Sequence, residues 1–238
     1  MAKQLLIVKN ITHEGPGLLE TALHQHAVTS HSVDLAKGES FPDPRNYGAL
    51  VVLGGPQSAN DATPSMQHQL RQIKIALQEK LPYLGICLGM QTLVKASGGK
   101  VVQCREKEIG FFDGECREYR MQLTPKGKAD ALFTGLAESI RVFQLHGETV
   151  ELASDMELLA SGTLCPIQAV KVGSSAYGLQ CHAEMTPDMF LTWIGIDTDL
   201  KGMERAELLK QFEAFREEYT ATGLKLMHNF LRLSGLAI

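Results

Sequence analysis

Three short apolar runs dominate the first third of the chain: LLIVKN (5–10), YGALVVLGGP (47–56) and LPYLGI (81–86). Each stops abruptly at a glycine-bearing loop, THEGPG, LGGPQS or GICLG. Runs of this length that are apolar throughout suit strands covered on both faces. Between them lie helical patterns: Leu18, Leu19, Ala22 and Leu23 in one, and Met66, Leu70, Ile73 and Leu77 in a segment over 64–80. Pro64 fits the first turn of that second helix. HSVDL (31–35) alternates as a further strand, and 88–97 reads as a helix closed by Gly98-Gly99. Strands alternating with helices predict an α/β chain, an open and mostly parallel sheet with helices on both faces. The handedness of the crossovers then brings the strand ends to one edge, where open sheets bind ligands.

The middle of the chain differs. KVVQC, GECREYRMQL, SIRVFQL, MELLASG, PIQAVKV and AYGLQC, all within residues 100–182, are short runs separated by turn residues. They predict antiparallel strands that decorate or extend the sheet. TPDMFLTWIG opens with a Thr-Pro start signal, and 203–233 is helical in pattern, with a break expected near Gly223. Met185 to Trp193 reads as a core stripe. No repeat or linker interrupts the chain, so 1–238 is expected to form a single domain, with 195–238 as a C-terminal helical segment packed on it.

Charge and apolar content limit the partners. A net charge of -4 offers no footprint for nucleic acid. No apolar run approaches the ~20 residues of a membrane span. The N-terminus reads as a first strand and not as an export signal, so a cytoplasmic location with reduced thiols is expected. The cysteines at 87, 104, 116, 165 and 181 contain no C-x-x-C pair. Spacing therefore predicts no metal site, and no cofactor motif is present.

Gly85-Ile86-Cys87-Leu88-Gly89 places a thiol between a strand and a helix. G-x-C-x-G is the thiol counterpart of the nucleophile elbow, a strained turn whose flanking residues crowd together and need glycine. The corner sets Cys87 at a helix N-terminus, which favours a thiolate, and turns the Leu88 N–H toward an oxyanion. A core cysteine in a loop is the competing reading of this pentapeptide. In AYGLQCHAEMTP (176–187), His182 and Glu184 are two apart in an extended segment and project to the same side. They can form a base and its orienting carboxylate, although a surface H-x-E is the simpler reading of that motif alone. Gly54 and Gly55 free backbone N–H groups at the end of one strand, and His146-Gly147 sits at another strand end. His13, in the loop after the first strand, lies on the same edge, where a loop role is the default.

With LGGP, LGICLGMQ, LHGE and YGLQCHAEMTP in this order, the chain resembles the class I, or triad-type, glutamine amidotransferases, and among them the glutaminase part of GMP synthetase and its stand-alone relatives. The likeness runs from the first strand to about residue 195. It implies a flavodoxin-like fold, with Cys87 as nucleophile, His182 as general base and acid, and Glu184 orienting the ring. It further implies an oxyanion hole from the backbone N–H groups of Gly55 and Leu88, with Gly54, Gln91, Leu145, His146 and Gly147 as substrate contacts. The implied substrate is glutamine, hydrolysed through a γ-glutamyl thioester, with the ammonia passed to a separate synthetase or acceptor subunit.

Three departures from the family pattern stand out. The segment has His182-Ala183-Glu184 where H-P-E is common, and Cys181 replaces a commonly aromatic residue and is expected to reshape the pocket wall. Leu145 stands where relatives can carry a polar residue. The chain shows no G-x-x-x-x-G-K-[ST] loop or other nucleotide site to accept the ammonia. Three readings therefore stay open: a glutaminase serving a partner, a stand-alone γ-glutamyl peptidase using the same triad, and a binding module with a vestigial triad.

Overall fold

The computed structural model describes residues 4–237. The first half runs β1 (Leu5–Lys9), α1 (Leu18–Gln25), β2 (Ser30–Asp34), β3 (Ala49–Val52), α2 (Pro64–Gln78), β4 (Tyr83–Ile86) and α3 (Leu88–Ala96). The central part adds β5 (Lys100–Gly110), β6 (Arg120–Leu123), α4 (Pro125–Ala129), β7 (Ser139–Arg141), β8 (Gln144–Glu151), β9 (Met156–Ser161), β10 (Ala169–Val172) and β11 (Ala176–Leu179). The chain closes with α5 (Pro187–Ile196), α6 (Thr198–Lys201) and α7 (Arg205–Leu233).

Nine strands form one sheet in the order β2-β1-β3-β4-β11-β10-β9-β6-β7. The half from β2 to β11 is parallel throughout, and the pairings from β11 to β7 are antiparallel. The predicted α/β architecture is present, with most strands parallel. Two apolar clusters explain why the runs are apolar on both sides. Leu5, Ile7, Val51, Leu84 and Ile86 face one core with α7, while Leu6, Val8, Leu50, Val52 and Tyr83 face another with α2 and α3. Side chains that alternate in direction along a strand thus bury both faces.

Three expectations need correction. AYGLQC does not extend the sheet as an antiparallel strand: β11 lies beside β4, parallel to it, with Gly178 opposite Gly85. All four β11 residues are buried, and an apolar run carries no information about strand direction. β5 stands outside the main sheet and forms a separate antiparallel ribbon with β8, with a register shift between Gln103 and Glu108. No break occurs at Gly223, because α7 is continuous through it. The glycine serves a close approach, since a Cβ there would run into the Ala183 carbonyl. Thr186 caps α5 by accepting from the Met189 N–H at 3.3 Å, as its start signal predicts. No helix among the described residues is long and apolar enough to cross a membrane.

Candidate active site

Cys87 is the residue between β4 and α3, and its backbone has φ 52° and ψ -109°. Positive φ at a non-glycine residue costs of order 1–3 kcal/mol and needs surroundings that enforce it. Those surroundings are two glycines and one hydrogen bond. A Cβ on Gly85 would collide with the backbone of Gly89 and Met90, and one on Gly89 with the Val52 carbonyl. The Cys87 N–H donates to the Leu179 carbonyl at 2.8 Å, which ties the corner to β11. Leu88 heads α3, so its N–H is among those a helix leaves without an internal partner.

His182 and Glu184 follow β11 in an extended segment. Nδ1 of His182 lies 2.7 Å from Oε1 of Glu184, and both side chains are buried. The second carboxylate oxygen, Oε2, accepts from the Ala183 N–H at 2.9 Å. Burial opposes a charge on the His182 ring, but the Glu184 carboxylate and the nearby Cys87 sulfur outweigh it. The ring is held well above its ordinary value. Trp193 packs edge-on against the imidazole with centroids 4.9 Å apart, so the Met185–Trp193 stripe is core, and part of that core walls the histidine.

The segment bearing the pair is clamped from three sides. The His182 N–H donates to the Phe143 carbonyl at 2.9 Å. The Tyr219 hydroxyl, from α7, donates to the His182 carbonyl at 2.9 Å. At the start of α1 the Leu18 N–H donates to the Glu184 carbonyl at 2.7 Å, and Gly17, at φ 54°, leaves room for that carbonyl.

Cys87 and His182 line a cavity of about 570 Å3 together with Glu14, Gly55, Gln91, Leu145, His146, Gly147 and Glu148. Gly54 sits where Cys87, His182 and Glu14 meet: a Cβ there would lie 3.0 Å from His182 Cε1 and 3.5 Å from Cys87 Cβ. The structure therefore brings Cys87, His182, Gly54, Gly55, Gln91, Leu145, His146 and Gly147 to one place. Gln91 faces the wall and donates from Nε2 to the Glu148 carbonyl at 3.0 Å. The Leu145 carbonyl lies 3.8 Å from the Cys87 sulfur. The His146 ring is turned away, with Nε2 2.9 Å from Glu108 Oε2, which leaves its backbone toward the cavity. His13 lines the cavity too. Cys181 does not: it is fully buried in the core, so it cannot reshape the wall directly. A neighbouring concavity of about 610 Å3, between the 12–17 loop, α1 and Met189, includes neither Cys87 nor His182.

Glu14 went unnoticed in the sequence. Its carboxyl is buried at the cavity, and Oε2 has no hydrogen-bond partner among the described residues. Burial is the main cause that raises its pKa to about 7, with Glu184 and Asp197 adding to the rise and His182 opposing it. A glutamate inside the polar stretch THEGPG gives no signal of this, because loop acids are usually solvated.

A mostly parallel sheet that carries a strained cysteine corner and a buried histidine–glutamate pair at its strand ends defines the class of α/β fold. The family model for glutamine amidotransferase class-I matches residues 9–192, and the chain belongs to that family. It is 34% identical over 155 residues to the glutamine amidotransferase-like protein YfeJ of Salmonella typhimurium, covering 63% of this chain and 62% of that one. It is 33% identical over 162 residues to a glutamine-hydrolysing GMP synthase of Porphyromonas gingivalis, covering 66% of this chain and 29% of the synthase. The match thus spans less than two thirds of either relative. Among solved structures, a glutamine amidotransferase of Thermotoga maritima superposes with a TM-score of 0.85 at 25% identity, covering 98% of this chain and 99% of that one. One from Methylobacillus flagellatus gives 0.87 at 24% identity, covering 98% and 96%, and shares the fold.

Proposed function

We propose that the chain acts as one glutamine amidotransferase domain and hydrolyses the side-chain amide of glutamine at Cys87. The observation that carries this reading is the buried His182 ring, with Nδ1 2.7 Å from Glu184 Oε1, lining one cavity with Cys87 beside Gly54 and Gly55. A thiol paired with a histidine that a carboxylate orients is the nucleophile–base–orienter arrangement of acyl transfer.

In this reading His182 takes the Cys87 proton and the sulfur attacks the amide carbon. The oxyanion that forms is received by the N–H groups of Leu88 and Gly55. His182 returns the proton to the amide nitrogen, ammonia leaves, and a γ-glutamyl thioester remains. Water then gives a proton to His182 and attacks the thioester; glutamate departs and the thiol regains its proton. Gln91 and the backbone of residues 145–147 hold the amino-acid end, and a separate synthetase consumes the ammonia.

The second reading, a γ-glutamyl peptidase, has support from size. A cavity of about 570 Å3 lies within the ~300–1,000 Å3 that encloses drug-sized ligands, which leaves room beyond one glutamine. It loses the support expected from Cys181. The discriminating experiment incubates the protein with glutamine and, separately, with γ-glutamyl dipeptides, and compares kcat/KM from released glutamate. Higher kcat/KM on glutamine, lost in Cys87→Ala, supports the glutaminase. Preference for dipeptides selects the peptidase, and turnover that survives Cys87→Ala removes both.

A further inference from the structure

Behind the cavity wall, three segments far apart in sequence bring two thiols and an imidazole together. Cys104 lies where β5 leaves register with β8, His146 lies on β8, and Cys165 lies in the loop between β9 and β10. Their ligand atoms all fall within 4.8 Å of one another. Cys104 Sγ is 3.5 Å from His146 Nδ1. Around a tetrahedral zinc ion, with Zn–S of ~2.3 Å and Zn–N of ~2.0–2.1 Å, a sulfur and a nitrogen ligand sit ~3.5 Å apart and two sulfurs ~3.8 Å apart. The Cys104–His146 distance already matches, and no ligand atom of the three is more than 4.8 Å from another.

The far side of the histidine is built in the same sense. Nε2 faces Glu108 Oε2 at 2.9 Å, and Glu108 is 1% exposed. The Cys165 N–H donates to Glu108 Oε1 at 3.1 Å, and Gln168 Nε2 donates to Oε2 at 3.1 Å. A carboxylate that fixes one ring nitrogen and aims the other at a ligand position is the outer layer that metal-binding histidines carry. A thiol pair held for disulfide exchange would not need the histidine or its carboxylate. C-x-x-C spacing misses such a site, because its ligands come from three separate strand and loop segments.

We propose that Cys104, His146 and Cys165 bind a thiophilic divalent cation of the zinc type, with Glu108 as the positioning carboxylate. The cation displaces the two thiol protons to solvent, and Nδ1 turns from the Glu148 carbonyl, now 3.0 Å away, to the metal. Cys104 is the only ligand of the three that is not buried, so the fourth position opens to water on its side. Loading reaches the cavity through Glu148, whose carbonyl also accepts from Gln91.

The test uses reduced full-length protein carrying Cys87→Ala and Cys116→Ser, so that neither the corner cysteine nor the exposed thiol binds metal. Competition with a chromophoric chelator is expected to give one Zn2+ per chain, and Co2+ loading a thiolate-to-cobalt charge-transfer band. Adding Cys104→Ser and Cys165→Ser should weaken binding at least 100-fold, and Glu108→Gln should weaken it by about 10–100-fold. In the natural chain, Zn2+ should shield the part-exposed Cys104 from alkylation, reversed by chelator, while the exposed Cys116 stays reactive. That readout holds even where the variants fold poorly. Alkylation indifferent to Zn2+ overturns the proposal. So does a Cys104–Cys165 disulfide in air-exposed protein whose reduced form takes up no metal.

Discussion

The Tyr219 hydroxyl donates to the main-chain carbonyl of His182 across 2.9 Å, inside a buried cluster of aromatic rings. Tyr219 belongs to α7, beyond the 9–192 span that the family model matches, yet it holds the backbone of the histidine. Tyr219→Phe keeps the ring packing and leaves that carbonyl unsatisfied, a loss of roughly 1–3 kcal/mol for a buried group. Urea unfolding should register that loss, and kcat should fall several-fold with KM nearly unchanged. An unaltered kcat would show that the clamp is structural only.

Gly223 places the same helix against the same loop. Because a Cβ there meets the Ala183 carbonyl, Gly223→Ala must push α7 or the His182–Glu184 segment aside. Alanine in a helix interior ordinarily gains ~1 kcal/mol over glycine. The expected outcome is a net loss, of about 1–3 kcal/mol for overpacking, together with lower kcat/KM. Thermal melts of the variant beside a Gly→Ala change at exposed Gly195, where an added Cβ would meet no neighbouring segment within 4 Å, check the sign.

Glu184→Gln removes the charge that holds His182 above its ordinary value. The His182 pKa should fall, and kcat should drop by ~10²–10⁴, the range for a disturbed acid–base residue and its orienter. A raised histidine contributes stability that is fully present below its unfolded value of ~6.5 and lost as pH rises through the folded one. The stability gap between the natural chain and the variant should therefore be widest just below pH ~6.5 and narrow at high pH. Imidazole titration by NMR and melts across pH test both halves.

How far these features could be read in the sequence depends on how local their cause is. The Cys87 corner was legible because its strain is answered within five residues, by Gly85 and Gly89. His182 and Glu184 were legible because two-residue spacing fixes a shared side. The direction of β11 was not, since hydrophobic pattern reports burial and not which neighbour a strand pairs with. The same holds for α7: periodicity marks its buried face but cannot say that Tyr219 and Gly223 meet the His182–Glu184 segment. Glu14 and the Cys104–His146–Cys165 group arise only when distant segments meet.

Glu14 supplies a pH effect in the same direction as that of His182, but through a penalty for charging a buried carboxyl. Its carboxyl has a folded pKa of about 7 against an ordinary 4.5, with burial as the main cause. Between these values the folded chain keeps a proton that the unfolded chain has lost, so stability falls as pH rises through the window. Above it the penalty is complete, on the order of 3–4 kcal/mol at 1.36 kcal/mol per unit. Glu14→Gln should match the natural chain near pH 4.5 and exceed it in Tm at pH 8. A Tm difference independent of pH would mean that Glu14 is not protonated in the fold.

The last test separates strain from chemistry at Cys87. Both Cys87→Ala and Cys87→Gly remove the sulfur, so both should abolish turnover if it is the nucleophile. They differ in backbone freedom: alanine must still adopt φ 52°, and glycine enters that region at little cost. In an ordinary position glycine would be the less stable, by roughly 0.4–1 kcal/mol from the entropy of the unfolded chain. Here relief of strain of order 1–3 kcal/mol should reverse that order. Urea midpoints for the two variants give the sign directly. Glycine above alanine means that the fold strains its corner to hold a thiol over the cavity, and alanine above glycine means that the turn holds no such strain.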